Sequence, residues 1–281
     1  MKRKIVCAGI MLLCLGIFAA CGKEEKETGE QIQEEVVKEA EDATDTPREN
    51  EEGTAEEVTP EETMPQAFKK RGVIVALDPG HQSSDIDMSE MEENAPGSGE
   101  MKAKATSGTS GQYTGIPESQ LNLDIALAVR DRLVAQGYDV VMTREDNETA
   151  ISNAERATLA NEAGADISVR IHANGSEDKS QSGALALIST EENPYVGSLY
   201  DDSYRLAEQV LNAYCASTGM ENLGIQKTDT MTGINWSKIP VMILEMGFMS
   251  NEQDDRNMAD ADYRTKMVEG IVNGINAYYG Y

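Results

Sequence analysis

Val73-Ile-Val-Ala-Leu-Asp-Pro-Gly-His-Gln82 decides the architecture. Residues 73–77 are apolar without a polar alternation, the pattern of a strand buried on both faces in a parallel sheet covered by helices. The run stops at Asp78, Pro79 and Gly80, and His81 follows. A second stretch repeats the plan: in Ile167-Ser-Val-Arg-Ile-His-Ala-Asn174, Ile167, Val169 and Ile171 share one face and His172 stands near the end. The chain has 281 residues and only these two histidines. Imidazole is the commonest metal ligand and the only side chain whose unperturbed pKa lies near neutrality. Two of them at matching strand ends point to chemistry; the alternative is a pair of polar strand caps.

The flanking sequence extends this reading. Leu121, Ile125, Val129 and Leu133 recur at helical spacing, and Gly137 is placed to end that helix. Residues 138–143 read as a strand. Ser152 and Glu155 form a capping-box signature opening a helix that stops near Gly164. Residues 184–189 and 241–245 read as further strands, and 204–216 and 263–279 as helices. The alternation predicts one α/β domain over residues 69–281, with a mostly parallel, twisted β-sheet flanked by helices on both faces. About 210 residues suffice for one well-buried core. Ligands of such sheets bind at the carboxyl ends of the strands, where His81, His172 and Glu245 all fall. A carboxylate closing an apolar strand is costly unless it is paired or used, so Glu245 either meets an arginine or carries function.

The N-terminal part is a different material. Lys2, Arg3 and Lys4 precede an apolar stretch over residues 5–20, and Ala19 and Ala20 lead into Cys21. This reads as an export signal, short of the ~20 residues of a spanning helix. Its Phe-Ala-Ala-Cys ending resembles a bacterial lipoprotein signal, so residues 1–21 are expected to leave Cys21 carrying lipid and the protein outside the cytoplasm, anchored to the membrane. The alternative is an uncleaved anchor. Residues 22–68 are expected to be a disordered acidic linker: 23–66 hold seventeen acidic and four basic residues and no aromatic. Cys7 and Cys14 lie in the signal, so only Cys215 belongs to the folded part, and neither a disulfide framework nor a cysteine zinc site is available. The folded part has 33 acidic and 17 basic residues, which argues against nucleic acid as a partner.

Five short motifs then occur in order: Leu77-Asp-Pro-Gly-His81; Glu118 before Asn122-Leu123; Arg156 with Ala160-Asn161; Ile171-His-Ala-Asn174; and Pro240 with Leu244-Glu-Met-Gly-Phe-Met-Ser-Asn251. Together they resemble the zinc-dependent N-acetylmuramoyl-L-alanine amidases, peptidoglycan hydrolases of the type-3 amidase fold, across residues 73 to about 279. The resemblance implies a Zn2+ ion held by His81, Glu118 and His172, with Glu245 as the catalytic carboxylate. Two imidazoles and one carboxylate leave a fourth position open, as in catalytic zinc sites. The implied reaction is hydrolysis, by zinc-activated water, of the amide between the lactyl group of N-acetylmuramic acid and the L-alanine of the stem peptide. Without the resemblance, Glu118 reads as a first-turn glutamate after Pro117, favoured by the helix dipole.

Two departures from the family pattern matter. Arg170 replaces a small hydroxyl residue two positions before His172 and should share its strand face. It is expected either to act catalytically, holding an oxyanion or a substrate carboxylate, or to pair with a nearby acid. The second departure is a long insertion loop, residues 82–117, between His81 and Glu118. Loops of this length are usually functional or disordered, and this one is expected to border the substrate groove or to set an acid over the metal. Two competing readings stand: a zinc peptidase cutting elsewhere in the stem peptide, and an inactive wall-binding or regulatory lipoprotein. No protein activator is legible.

Overall fold

The computed structural model describes residues 70–281; the expected signal segment, its Cys21 and the expected acidic linker lie outside them. In chain order the elements are β1 (Ile74–Pro79), β2 (Met91–Glu93), β3 (Met101–Ala103), α1 (Glu118–Ala135), β4 (Asp139–Met142), α2 (Asn153–Glu162), β5 (Ile167–Asn174), β6 (Ala184–Ile188), α3 (Tyr200–Thr218), β7 (Asn222–Lys227), α4 (Thr232–Asn235), β8 (Val241–Phe248), α5 (Glu252–Ala259) and α6 (Ala261–Tyr278). Six strands form one sheet in the order β4-β1-β5-β8-β6-β7. Its pairings are parallel except that of β6 with β8. The α/β architecture expected from the alternating pattern is therefore the one the chain adopts, with β6 and β7 reversed. Among the described residues, no helix is long and apolar enough to cross a membrane.

The two sheet faces differ, and the difference creates the site. Val75, Leu77, Val169, Ile171, Leu244 and Met246 pack with α1, α3 and α6 into the main core. On the opposite face, alanines of β1 and α2 form a small cluster, and Val241 and Ile243 meet Ile234 of α4 in another. Side chains alternate along a strand, so this second face also receives Asp78, Arg170, His172 and Glu245. Apolar residues fill the first face, while the second accepts charge near the strand ends.

The helix boundaries follow local chemistry. Gly137, with φ of 90°, follows the C-cap of α1. Ser152 caps α2 through the Glu155 N–H while the Glu155 side chain accepts from the Ser152 N–H, a complete capping box. Five elements escaped the sequence reading: β2, β3, β7, the short α4 and α5. The β2–β3 hairpin occupies what reads as a loop. Strand β7 is a largely exposed edge strand with only two apolar residues, Leu223 and Ile225. Helix α5 is polar nearly throughout and is set by its Asn251 cap, which accepts from the Gln253 and Asp254 N–H groups.

Ser152 also aims a functional element, because α2 delivers Arg156. Ser152→Ala is expected to cost about 1 kcal/mol, lowering Tm by roughly 2–4 °C in a domain of this size, as read by thermal denaturation.

Candidate metal centre

The centre rests on a buried ionic cluster beneath the β1 turn. Asp78 is 2% exposed; it accepts from Arg156 Nη1 at 2.7 Å, from Arg170 Nε at 2.6 Å and from the Thr143 hydroxyl at 2.5 Å. These cations hold its carboxyl well below the usual carboxylate range, against a burial penalty that alone would raise it. The arginines also collect the carbonyls of the turn. Arg156 donates to Pro79 and His81 carbonyls, and Arg144 to those of Pro79, Gly80 and Ser119. His81 sits in the left-handed region at φ 60°, the only non-glycine residue to do so among the described residues. A conformation of that kind persists when its surroundings over-determine it, and the two guanidinium groups do so here.

His81, Glu118 and His172 then converge from β1, α1 and β5. Glu118 Oε1 lies 3.2 Å from His81 Nε2 and 3.3 Å from His172 Nδ1, and the ring centroids are 4.8 Å apart. The three potential ligand atoms all lie within 4.8 Å of one another. The edge of a tetrahedron built on ~2.0–2.1 Å bonds is about 3.3 Å, so the carboxylate-to-imidazole spacings suit a shared cation. Gly80 permits this convergence: a Cβ there would lie 2.2 Å from the His172 ring.

Protonation states agree with a ligand set. His81 Nδ1 donates to the Thr106 carbonyl at 2.8 Å. A carbonyl only accepts, so this contact assigns the tautomer whose Nε2 lone pair faces Glu118. Burial pushes His172 down to about 4, leaving it neutral at physiological pH. Burial works against ionisation of Glu118, yet the His172 and His81 rings beside it hold its carboxyl below the usual range. Glu245 pairs in register with His172 on the neighbouring strand. Burial chiefly, and the Glu118 charge after it, push Glu245 up to about 8, with Arg170 opposing. Glu245 Oε2 and His172 Nε2 are buried and lack a hydrogen-bond partner among the described residues. Orphaned buried polar atoms call for an explanation, and a reacting ligand between them is one.

The insertion is part of the construction. Its hairpin is tied down where Trp236 Nε1 donates to the Glu93 carbonyl and Glu92 accepts from the Ala154 N–H. Its returning limb supplies Thr106 to His81, while the Thr109 N–H donates to Glu118 Oε2 at 2.9 Å. Gly108 threads between: a Cβ there would fall 2.4 Å from Glu118 Oε2. Gly108, Thr109 and Gln112 line the metal cleft, a cavity of about 520 Å³, and none of the insertion's acids does. The limb is a wall of the cleft rather than an acid over the metal.

Of the expected site residues, the structure brings His81, Glu118, His172 and Glu245 into this cleft. Arg170 is different. It is 4% exposed and spent on Asp78 and on Asn153 Oδ1, which realises the ion-pair alternative and leaves its guanidinium no free reach toward substrate. Sequence reading missed Asp78 and Arg144 as the scaffold of the His81 turn; the only hint was an acid interrupting an apolar strand. Nothing in the sequence marked Thr106 or Gly108.

A family model described as N-acetylmuramoyl-L-alanine amidase matches residues 75–277. The chain is 31% identical over 208 residues to N-acetylmuramoyl-L-alanine amidase LytC of Bacillus subtilis (strain 168), covering 74% of this chain but only 36% of LytC. It is 26% identical over 214 residues to N-acetylmuramoyl-L-alanine amidase Rv3717 of Mycobacterium tuberculosis, covering 74% of this chain and 86% of Rv3717. Among solved structures, Ami1 of Mycobacterium smegmatis, an N-acetylmuramyl-L-alanine amidase, superposes with a TM-score of 0.68 at 30% identity. That match covers 74% of this chain and 97% of Ami1.

Two outcomes are expected. Asp78→Ala should destabilise the fold by about 3–5 kcal/mol by leaving buried arginines uncompensated. Because the folded carboxyl ionises more readily than the unfolded one, its contribution is complete above pH ~5 and drains away as pH falls through the unfolded value toward the depressed folded one; in urea titrations the stability gap between the two proteins should narrow by about 1 kcal/mol from pH 7 to pH 3 without closing. Gly108→Ala should weaken divalent-metal binding by about 10–100-fold through the displaced Glu118, measured by calorimetry on metal-free protein.

Proposed function

The chain belongs to the N-acetylmuramoyl-L-alanine amidase family, and on that premise we propose that it hydrolyses the amide joining the lactyl group of N-acetylmuramic acid to L-alanine in peptidoglycan. His81, Glu118 and His172 hold a zinc ion, and Glu245 is the proton carrier. The observation that carries this reading is the single Glu118 oxygen set 3.2 and 3.3 Å from two imidazole nitrogens, with Glu245 in register beside His172. The donor set, two neutral imidazoles and one carboxylate, suits zinc and leaves room for reactants.

When bound, zinc acidifies a water molecule and polarises the scissile carbonyl. The remaining work falls to the chain. Thr106 keeps the His81 proton on Nδ1, and the Ala173 and Thr109 N–H groups orient the Glu118 carboxylate. Glu245 takes the proton from the attacking water and returns it to the departing amine of L-alanine. Its tendency to hold a proton when buried suits the second half of that task, while a cation nearby favours its ionised form for the first. Arg170 serves as a positioning residue through Asp78.

The same reading places the reaction outside the cytoplasm. Lipid on Cys21 would hold the protein at the membrane, with residues 22–68 as the spacer and 69–281 as the catalytic domain. The basic start, the apolar stretch and the acidic composition of those segments support this arrangement.

The test is one assay on purified cell wall with two readouts, bound zinc and newly exposed L-alanine amino groups. Glu245→Gln should retain zinc yet lose roughly 10²–10⁴ in rate. Chelated wild type should be inactive until zinc is restored. New amino termini other than L-alanine would reject the amidase assignment.

A further inference from the structure

Beside the metal cleft runs a second depression, a cavity of about 720 Å³ between the insertion, the start of α1 and the loop after β4. It shares Gly108 and Thr109 with the metal cleft, so the two lie side by side along the insertion's returning limb. Its size falls in the ~300–1,000 Å³ range of small-molecule sites. None of its lining side chains is charged, in a folded part where acids outnumber bases 33 to 17. That neutrality is the unexplained feature.

The lining is nonetheless polar and, on one side, fixed. Asn147 Nδ2 donates to Gln120 Oε1 at 2.6 Å, and Asn147 Oδ1 accepts from buried Arg144. This wall is therefore pre-organised, which lowers the cost of ordering it on binding. Elsewhere in the lining, Ser84, Ser107 and Ser110 are exposed and their hydroxyls have no hydrogen-bond partner among the described residues. Each can both donate and accept.

We propose that this trough binds the uncharged glycan strand of the substrate, extending from the N-acetylmuramic acid whose lactyl amide lies in the metal cleft. Sugar hydroxyls and acetamides are neutral groups that donate and accept, matching serine hydroxyls and carboxamides. The stem peptide carries free carboxylates, for which the trough offers no cation. The inference rests on the amidase reading and specifies which part of that substrate the insertion recognises. It also gives the hairpin a purpose: Ser84 and Ser107 flank it in the chain, and it returns both to the trough.

The test uses the full chain with the double substitution Ser84→Leu and Ser110→Leu, at exposed positions that touch neither the metal ligands nor Glu245. Binding of neutral N-acetylglucosamine oligomers, which carry the same hydroxyls and acetamides, is measured by calorimetry on zinc-loaded wild type and variant. Wild type should bind, and the variant should bind about tenfold or more weakly, the effect of removing two hydrogen bonds. In turnover, kcat/KM on polymeric strands should fall by a similar factor through KM, while that on a single muramyl peptide should change less than about twofold. Failure of wild type to bind glycan, unchanged binding by the variant, or equal losses on polymer and monomer would each overturn the proposal. If wild type binds glycan but releases no L-alanine, the amidase reading fails while the trough stands. A zinc content and a melting curve matching wild type establish that the variant is folded.

Discussion

Asp78 is the constraint on which the site depends. A carboxylate sealed under the sheet edge attracts Arg156 and Arg170, and Arg156 joins Arg144 in gathering the carbonyls of residues 79–81. Buried ion pairs contribute little net stability compared with well-packed apolar groups, but removing one partner is expensive. What this cluster secures is shape: it keeps the β1 turn in a conformation that puts His81 at φ 60°. The strained histidine is thereby held by contacts within the chain.

Charge is distributed across the second sheet face in a definite order. The surplus positive charge of Arg144, Arg156 and Arg170 over Asp78 lies beneath the turn, and the carboxylates Glu118 and Glu245 lie above it in the cleft. Arg170 couples the two layers, since its charge lowers the pKa of both Glu245 and His172 while its hydrogen bonds serve Asp78. The residue that departs from the family pattern thus strengthens the foundation of the centre. The insertion completes the upper layer. A carbonyl from Thr106 and an amide from Thr109 orient ligands that arrive from β1 and α1. A segment that lengthens the chain between two ligands would ordinarily loosen the site; here its return path tightens it, because Gly108 passes against Glu118 at a distance only glycine tolerates.

The sequence by itself determined the sheet-and-helix alternation, because unbroken apolar runs in β1 and β8 and helical spacing in α1 are local signals of burial. It also determined the two histidines and Glu245 as strand-end groups, since a titratable side chain closing an apolar run stands out against its neighbours. Glu118 became legible only through the family motifs; as one of 33 acids in the folded part it has no local mark. The tertiary structure alone decided that Arg170 pairs with Asp78, that β6 runs antiparallel to β8, and that the 82–117 segment folds into a hairpin whose returning limb grips both His81 and Glu118. Those outcomes hang on contacts between residues far apart in the chain and on backbone donors and carbonyls that every residue possesses, so no pattern of side chains announces them.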